Sequence, residues 1–125
     1  MTENEEPSGS IKWLKAPQEH DYPAALSYLS LLFKPSTAKA FIKDLKAAKV
    51  VSFKAKDIFR ASSLSLLGVS NSHVDKDRQE ILAGKSLSPI LLVRAGDKVI
   101  IADGYHRMCA VYSFDEDALI PCKIA

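Results

Sequence analysis

The stretch from Pro89 to Phe114, PILLVRAGDKVIIADGYHRMCAVYSF, constrains the fold more than any other part of the chain. Pro89 to Arg94 and Lys98 to Ala102 are two β-rich apolar runs separated by Ala95-Gly96-Asp97, the signature of a hairpin. Asp103-Gly104 follows the second run without a spacer, and Tyr105 to Phe114 carries helical spacing. A strand that passes through a glycine turn straight into a helix leaves the first helical N–H groups unpaired and aimed into a small pocket. The helix dipole favours an anion there. Gly104 lets the backbone turn sharply and come close to a ligand. His106 and Arg107 fall in the first turn, so their donors reach the same place. Arginine offers phosphate a bidentate fork, and a histidine beside phosphate can move a proton near neutral pH. Asp103 can cap the helix, or hold a metal or hydroxyl beside the phosphate. The plainer alternative is an incidental His-Arg pair, with Asp103 as a cap and Arg107 bound to Asp115 or Glu116.

Around this segment the spacing predicts an α/β (α+β) domain over residues 50–125, a small mixed sheet with flanking helices. Val50 to Phe53 is β-rich, and Ala55 to Phe59 is expected to continue it as an irregular edge. Asp75 to Ala83 predicts a short helix capped by Asp75 and ended by Gly84. Leu119 to Ile124 predicts a last strand. Residues 61–72, rich in Ser and Leu, carry no clear period. Residues 11–49 are expected to form an N-terminal helical extension packed on the core. In it, Ile11 to Leu14 is a short strand or an anchor for Trp13. A first helix has Asp21 or Tyr22 at its cap and Pro23 in its first turn, and places Tyr22, Leu26, Leu29 and Phe33 on one apolar face. Pro35 stops it and Ser36 caps a second helix that buries Phe41, Ile42, Leu45 and Ala48. Residues 1–10, polar with Pro7 and Gly9, predict a disordered tail.

Charge sharpens the picture. The net charge of +2 hides three glutamates in the first ten residues and eight basic residues between Lys34 and Arg60 against Asp44 and Asp57, a local charge of +6. On the second helix Lys39, Lys43 and Lys46 line the polar side, with Lys49 close by. Such a stripe suits a polyanion, nucleic acid included, or is simply a solvated face. No run approaches the roughly 18 apolar residues of a membrane span, and the acidic N-terminus does not resemble a signal peptide. A cytoplasmic protein with no membrane partner is expected. Cys109 and Cys122 then predict free, core-filling thiols rather than a bridge. With His20, His73 and His106 they show no ligand spacing, so no structural metal is expected.

The residues from Ser86 to Ile124 resemble the core of the ParB/sulfiredoxin superfamily. They share its Pro-initiated strand (Pro89), its hairpin (Gly96) and its Gly-containing box (Asp103 to Arg107). They also share a following helix with a small residue (Ala110) and a last strand of the form Ile120-Pro121-Cys122. Upstream, Val51-Ser52-Phe53 and Ile58-Phe59-Arg60 resemble the segment that opens this domain, and Asp75 to Gly84 sits where its helix before the Pro-initiated strand is expected. The likeness spans about 75 residues, most of its weight in the last 40. Chromosome-partitioning members carry Gly-Glu-Arg-Arg at the box, whereas this chain reads Gly104-Tyr105-His106-Arg107 without that Glu and shows no helix-turn-helix after it. Partitioning is not expected. Sulfiredoxins carry Gly-Gly-Cys-His-Arg. Tyr105 stands at their nucleophile and Cys109 is a turn further on, so that activity is not expected either. The Asp-Gly-x-x-Arg form is similar to the ParB-like DGHHR and DGQHR proteins and to archaeal free-serine kinases.

That resemblance implies a nucleotide, ATP or CTP with Mg2+, or another phosphate-bearing small molecule. Gly104, Tyr105, His106 and Arg107 would sit at its phosphates, and Asp103 and His106 would assist phosphotransfer or hydrolysis. It also implies that the loop Lys85-Ser86-Leu87-Ser88 borders the pocket, Ser88 included. Arg78 and Lys76 on the preceding helix are expected to reach a phosphate. The additional acidic base that the kinases use has Asp57 and Asp75 as candidates. The competing expectation is a non-catalytic module that contacts DNA or a protein through Lys39, Lys43, Lys46 and Lys49.

Overall fold

Ile90, Leu91, Leu92 and Val93 are buried one after another, which a strand achieves only when both faces of its sheet are covered. The computed structural model, which describes residues 11–68 and 70–125, shows what covers them. Strands β1 (Val51–Lys54), β2 (Ile90–Ala95), β3 (Lys98–Asp103) and β4 (Leu119–Ile124) form one mixed sheet in the order β1-β4-β2-β3. The hairpin β2–β3 is antiparallel; β4 runs parallel to β2 and antiparallel to β1. Helices α1 (Asp21–Leu32) and α2 (Pro35–Ala47) precede β1. The others are α3 (Ala55–Ser62), α4 (Ser72–Leu82) and α5 (Tyr105–Phe114). The protein is therefore α+β, with helices flanking a mixed sheet.

The alternation of β2 divides the core in two. Ile90 and Leu92 join Ile101 and Ile120 and face α3, α4 and α5, through Ile58, Phe59, Val74, Ile81, Met108 and Val111. Leu91 and Val93 join Ala102 on the other face, where Tyr22, Ala25 and Leu29 of α1 and Ile42 and Leu45 of α2 cover them. The two N-terminal helices thus supply one of three layers. Trp13 anchors the segment before them. It bridges Leu87 in a parallel pairing, with Leu14 N–H donating to the Leu87 carbonyl at 2.7 Å, and its ring packs against the α3–α5 core.

Several local expectations change. Ala55 to Phe59 begins the helix α3 instead of extending β1. Ala55, Ile58, Phe59 and Ser62 are its buried residues, a helical spacing too short to emerge from five residues. Its first N–H groups are satisfied from outside, Ala55 by the Ala118 carbonyl and Lys56 by that of Glu116, both at 2.9 Å. α4 starts three residues before Asp75, because Asn71 Oδ1 accepts from His73 and Val74 N–H and makes the better cap. Gly84, at φ +79°, ends that helix as expected. Pro35 occupies the first position of α2, where its fixed φ suits a helix start, and Lys34, not Ser36, is the residue before it. His20 precedes α1, and the Asp21 carboxylate accepts from Gln18 N–H at 3.0 Å. The expectation for residues 1–10 lies outside the described residues.

Candidate functional site

The site begins at a bulge. Leu91 pairs with Asp103 while Leu92 pairs with Ile101, so Ala102 is an extra residue in β3 and the strand is re-aimed just before its end. Gly104 then takes φ +105° and precedes the first residue of α5. A Cβ on Gly104 would stand 2.4 Å from Ile90 Cδ1 and 2.8 Å from Arg107 Nη2, so a side chain here meets a strained backbone and must displace both neighbours. The first intrahelical bond is Met108 N–H to the Gly104 carbonyl at 2.9 Å. The N–H groups of Tyr105, His106 and Arg107 come before it and lie outside that ladder.

Arg107 turns back over this end and its Nη2 meets Asp103 Oδ2 at 3.0 Å, an i,i+4 pair with both side chains below one-fifth exposure. Among the described side chains, Arg107 Nε is the buried polar atom that lacks a hydrogen-bond partner. Burial pushes the Asp103 carboxyl above its ordinary range, against the opposing charge and hydrogen bond of Arg107. α4 brings a second set of groups. His73, Lys76 and Asp77 line a cavity of about 200 Å3 together with Asp103, Gly104, Tyr105, His106 and Arg107. The His73 and His106 rings lie 4.9 Å apart. The Asp77 carboxyl is also raised, first by burial and then by Glu80, with Arg107 and His106 working against the shift.

A carboxyl raised in the folded state carries a stability cost when ionised. That cost is absent below the unfolded-state pKa, where both states are protonated, and is complete above the folded-state pKa. Asp77→Asn is therefore expected to raise the melting temperature at neutral pH. The gain should fade as the pH falls through the carboxylate range. Melting curves of both proteins across that range check it, and a gain that persists in acid would mean that something other than ionisation is responsible.

The structure brings Asp103, Gly104, Tyr105, His106 and Arg107 together, with Lys76 beside them. It does not bring Ser88 or Arg78. Ser88 is buried against α1, where its hydroxyl donates to the Asp21 carboxylate and accepts from Gln18 N–H. Arg78 is buried on α4, one residue round from Asp77. There it donates to Ser113 Oγ and lies 4.3 Å from the Phe114 ring centroid. Asp57 pairs with Arg60 at 3.4 Å and lines a different cavity, with Phe53 and Ile58; Asp75 is exposed. The sequence alone does not single out Asp77, and His73 enters it only as a histidine without ligand spacing. The signal available was their i,i+4 spacing behind Asn71.

The basic residues separate. Lys56 and Lys54 approach Asp117 at 2.8 and 4.0 Å and Arg60 approaches Asp57 at 3.4 Å, so that part of the cluster is paired. Lys39, Lys43 and Lys49 are exposed; Lys46 stands 5.4 Å from the Tyr22 ring centroid. Both cysteines are free and buried. Burial pushes the Cys122 thiol up to about 11 and raises that of Cys109, which disfavours the thiolate.

A second cavity, of about 470 Å3, adjoins the first. It shares Asp103, Gly104, Tyr105 and His106, and is walled by Ala24 and Tyr28 of α1 and by Leu64. Comparison of the chain with protein-family models, with curated proteins and with solved structures gives no match.

Proposed function

We propose that the protein binds the phosphates of a nucleotide, or of a related phosphate-bearing small molecule, at the start of α5 in the manner of a ParB/sulfiredoxin-like domain. The observation that carries this reading is convergence. Lys76 and His73 from α4 and His106 and Arg107 from α5 line the same small cavity as the glycine turn. Helix-start N–H groups with a guanidinium and an ammonium beside them make an anion site of fixed geometry.

The set also suits phosphoryl transfer. Mg2+ commonly takes one or two carboxylates along with phosphate oxygens, and Asp77 and Asp103 both line the cavity. Among the described residues no group of three or more His, Cys, Asp or Glu could hold a resident metal, so the ion would arrive with the phosphates and neutralise their charge. Arg107 and Lys76 orient the phosphate, and His106 hydrogen-bonds it. A hydroxyl or water would attack the terminal phosphorus as that atom's bond to the bridging oxygen breaks; the attacking group's proton passes to the Asp77 or Asp103 carboxylate, and the rest of the nucleotide leaves with the bond electrons on its phosphate oxygen.

Thermal stability with ATP, CTP, GTP and inorganic phosphate, each with and without Mg2+, tests the proposal. A ligand at a hundredfold excess over its dissociation constant stabilises by about 2.7 kcal/mol. The expected result is a nucleotide-dependent rise in melting temperature that Arg107→Ala removes. No rise with any of these ligands overturns the reading. The second reading, a DNA- or protein-binding face of Lys39, Lys43, Lys46 and Lys49, draws on the exposed lysines of this stripe. Binding of that kind weakens steeply with salt, survives Arg107→Ala and is lost when Lys39 and Lys43 are changed to Glu.

A further inference from the structure

α1 has two apolar stripes. Tyr22, Ala25 and Leu29 are buried against the sheet, but Tyr28, Leu31 and Leu32 on another side are 42%, 83% and 49% exposed. Tyr28 and Ala24 do not face open solvent alone. They form one wall of the 470 Å3 cavity beside the Asp103–Arg107 box, and Leu64, itself 42% exposed, stands in the same lining. The Tyr105 hydroxyl donates to the Ser65 carbonyl, which fastens the loop carrying Leu64 beside the box.

We infer that this second cavity receives the nucleoside half of the ligand, with the Tyr28 ring as the surface on which the base stacks. The inference rests on the phosphate reading given above and extends it to the other half of the molecule. Three observations carry it. The polar cavity, at about 200 Å3, falls below the roughly 300–1,000 Å3 of small-molecule pockets, so it takes phosphates and leaves the rest of a nucleotide outside. The adjoining cavity, at about 470 Å3, lies within that range and shares four residues of the box with the first, so a ligand seated on α5 extends directly into it. Finally, among the described residues Asp103 is the one carboxylate in its lining, which contains no Lys or Arg. With no Lys or Arg to hold further phosphates, that lining suits a flat, uncharged group that keeps one polar edge. Aromatic stacking meets this need without demanding a particular base, because every base has a π-face.

Calorimetric titration with inorganic tripolyphosphate, ATP and CTP, all as Mg2+ complexes, tests the assignment on the full chain. The proteins compared are wild type, Tyr28→Ala and Tyr28→Phe. Tyr28 is partly exposed, and a melting curve of each variant confirms that it is folded. In wild type, nucleotide is expected to bind at least about fivefold more tightly than tripolyphosphate, as one stacking contact implies. Tyr28→Ala should bring nucleotide down to the level of tripolyphosphate while leaving tripolyphosphate unchanged, and Tyr28→Phe should keep the preference. Two outcomes overturn the inference yet leave the phosphate site standing. One is tripolyphosphate binding as tightly as nucleotide in wild type. The other is a nucleotide preference that survives Tyr28→Ala, which would leave the α1 groove to another occupant such as a protein surface. Absence of binding by all three ligands overturns both readings together.

Discussion

Replacing Gly104 with alanine is expected to destabilise the protein by roughly 2–5 kcal/mol, the sum of a left-handed backbone penalty and overpacking. For a chain of this length that lowers the melting temperature by roughly 8–20 °C. The backbone at φ +105° is one L side chains rarely adopt, and the new methyl would stand 2.4 Å from Ile90 Cδ1. Ile90 is fully buried in the β2 strand, so any shift of its Cδ1 has to be taken up by repacking within the core. Arg107 would also have to give, and with it the pair it makes with Asp103. Gly96→Ala is the matched control, since Gly96 has φ +64° but nothing within 4 Å of a Cβ. It should cost about 1 kcal/mol, the strain alone. Urea or thermal melts of the two variants decide the matter. Equal losses would mean that the close approach at Gly104 is relieved by a small shift, and that the turn does not need glycine for packing.

Leu29→Ala is expected to cost about 2–5 kcal/mol, as deletion of a fully buried leucine side chain does. Leu29 has no exposed surface and packs in the layer that covers Leu91 and Val93. Leu31→Ala, two residues along the same helix but 83% exposed, should change stability by no more than about 0.5 kcal/mol. The contrast measures whether α1 is a wall of the core or a detachable cover. A loss below about 1 kcal/mol at Leu29, far under the range for a buried site, would mean that the N-terminal layer separates from the sheet at little cost. Circular dichroism melts read both variants. The result bears on the site as well, because Ala24 and Tyr28 of the same helix wall its larger cavity.

The hairpin, α5, β4 and the glycine turn between β3 and α5 were legible from the residues alone. Their signals are local. Pro89 and Gly96 bracket one strand, Gly104 separates a β-rich apolar run from a helical spacing, and each run is long enough to be read on its own. The same holds for the stop of α4 at Gly84, whose positive φ suits the residue without a Cβ. α3 was missed because its buried face rests on Ala55, Ile58, Phe59 and Ser62, of which only Ile58 and Phe59 are large and apolar.

The five residues of the box were found together because a strand end and a helix start place them together without help from elsewhere. What joined them was not legible. His73 and Asp77 arrive from α4, and whether they or Arg78 face the box depends on how that helix is rotated where it docks. Each residue turns a helix by about 100°, so a neighbour in sequence points elsewhere, and Arg78 lies against Ser113 and Phe114. Ser88, one residue before the Pro-initiated strand, was drawn from the expected pocket edge by the buried carboxylate of Asp21, 67 positions away in sequence. The same distance argument covers the sheet. The apolar runs by themselves determined that there are strands, a hairpin between two of them, and a helix that starts directly after a glycine turn. Only tertiary packing decided that β4 enters between β1 and β2, that α1 and α2 cover Leu91 and Val93, and that α4 completes the cavity. Spacing along a chain sets the faces of each element, whereas their partners are chosen by apolar burial, which acts between surfaces and carries no record of sequence order.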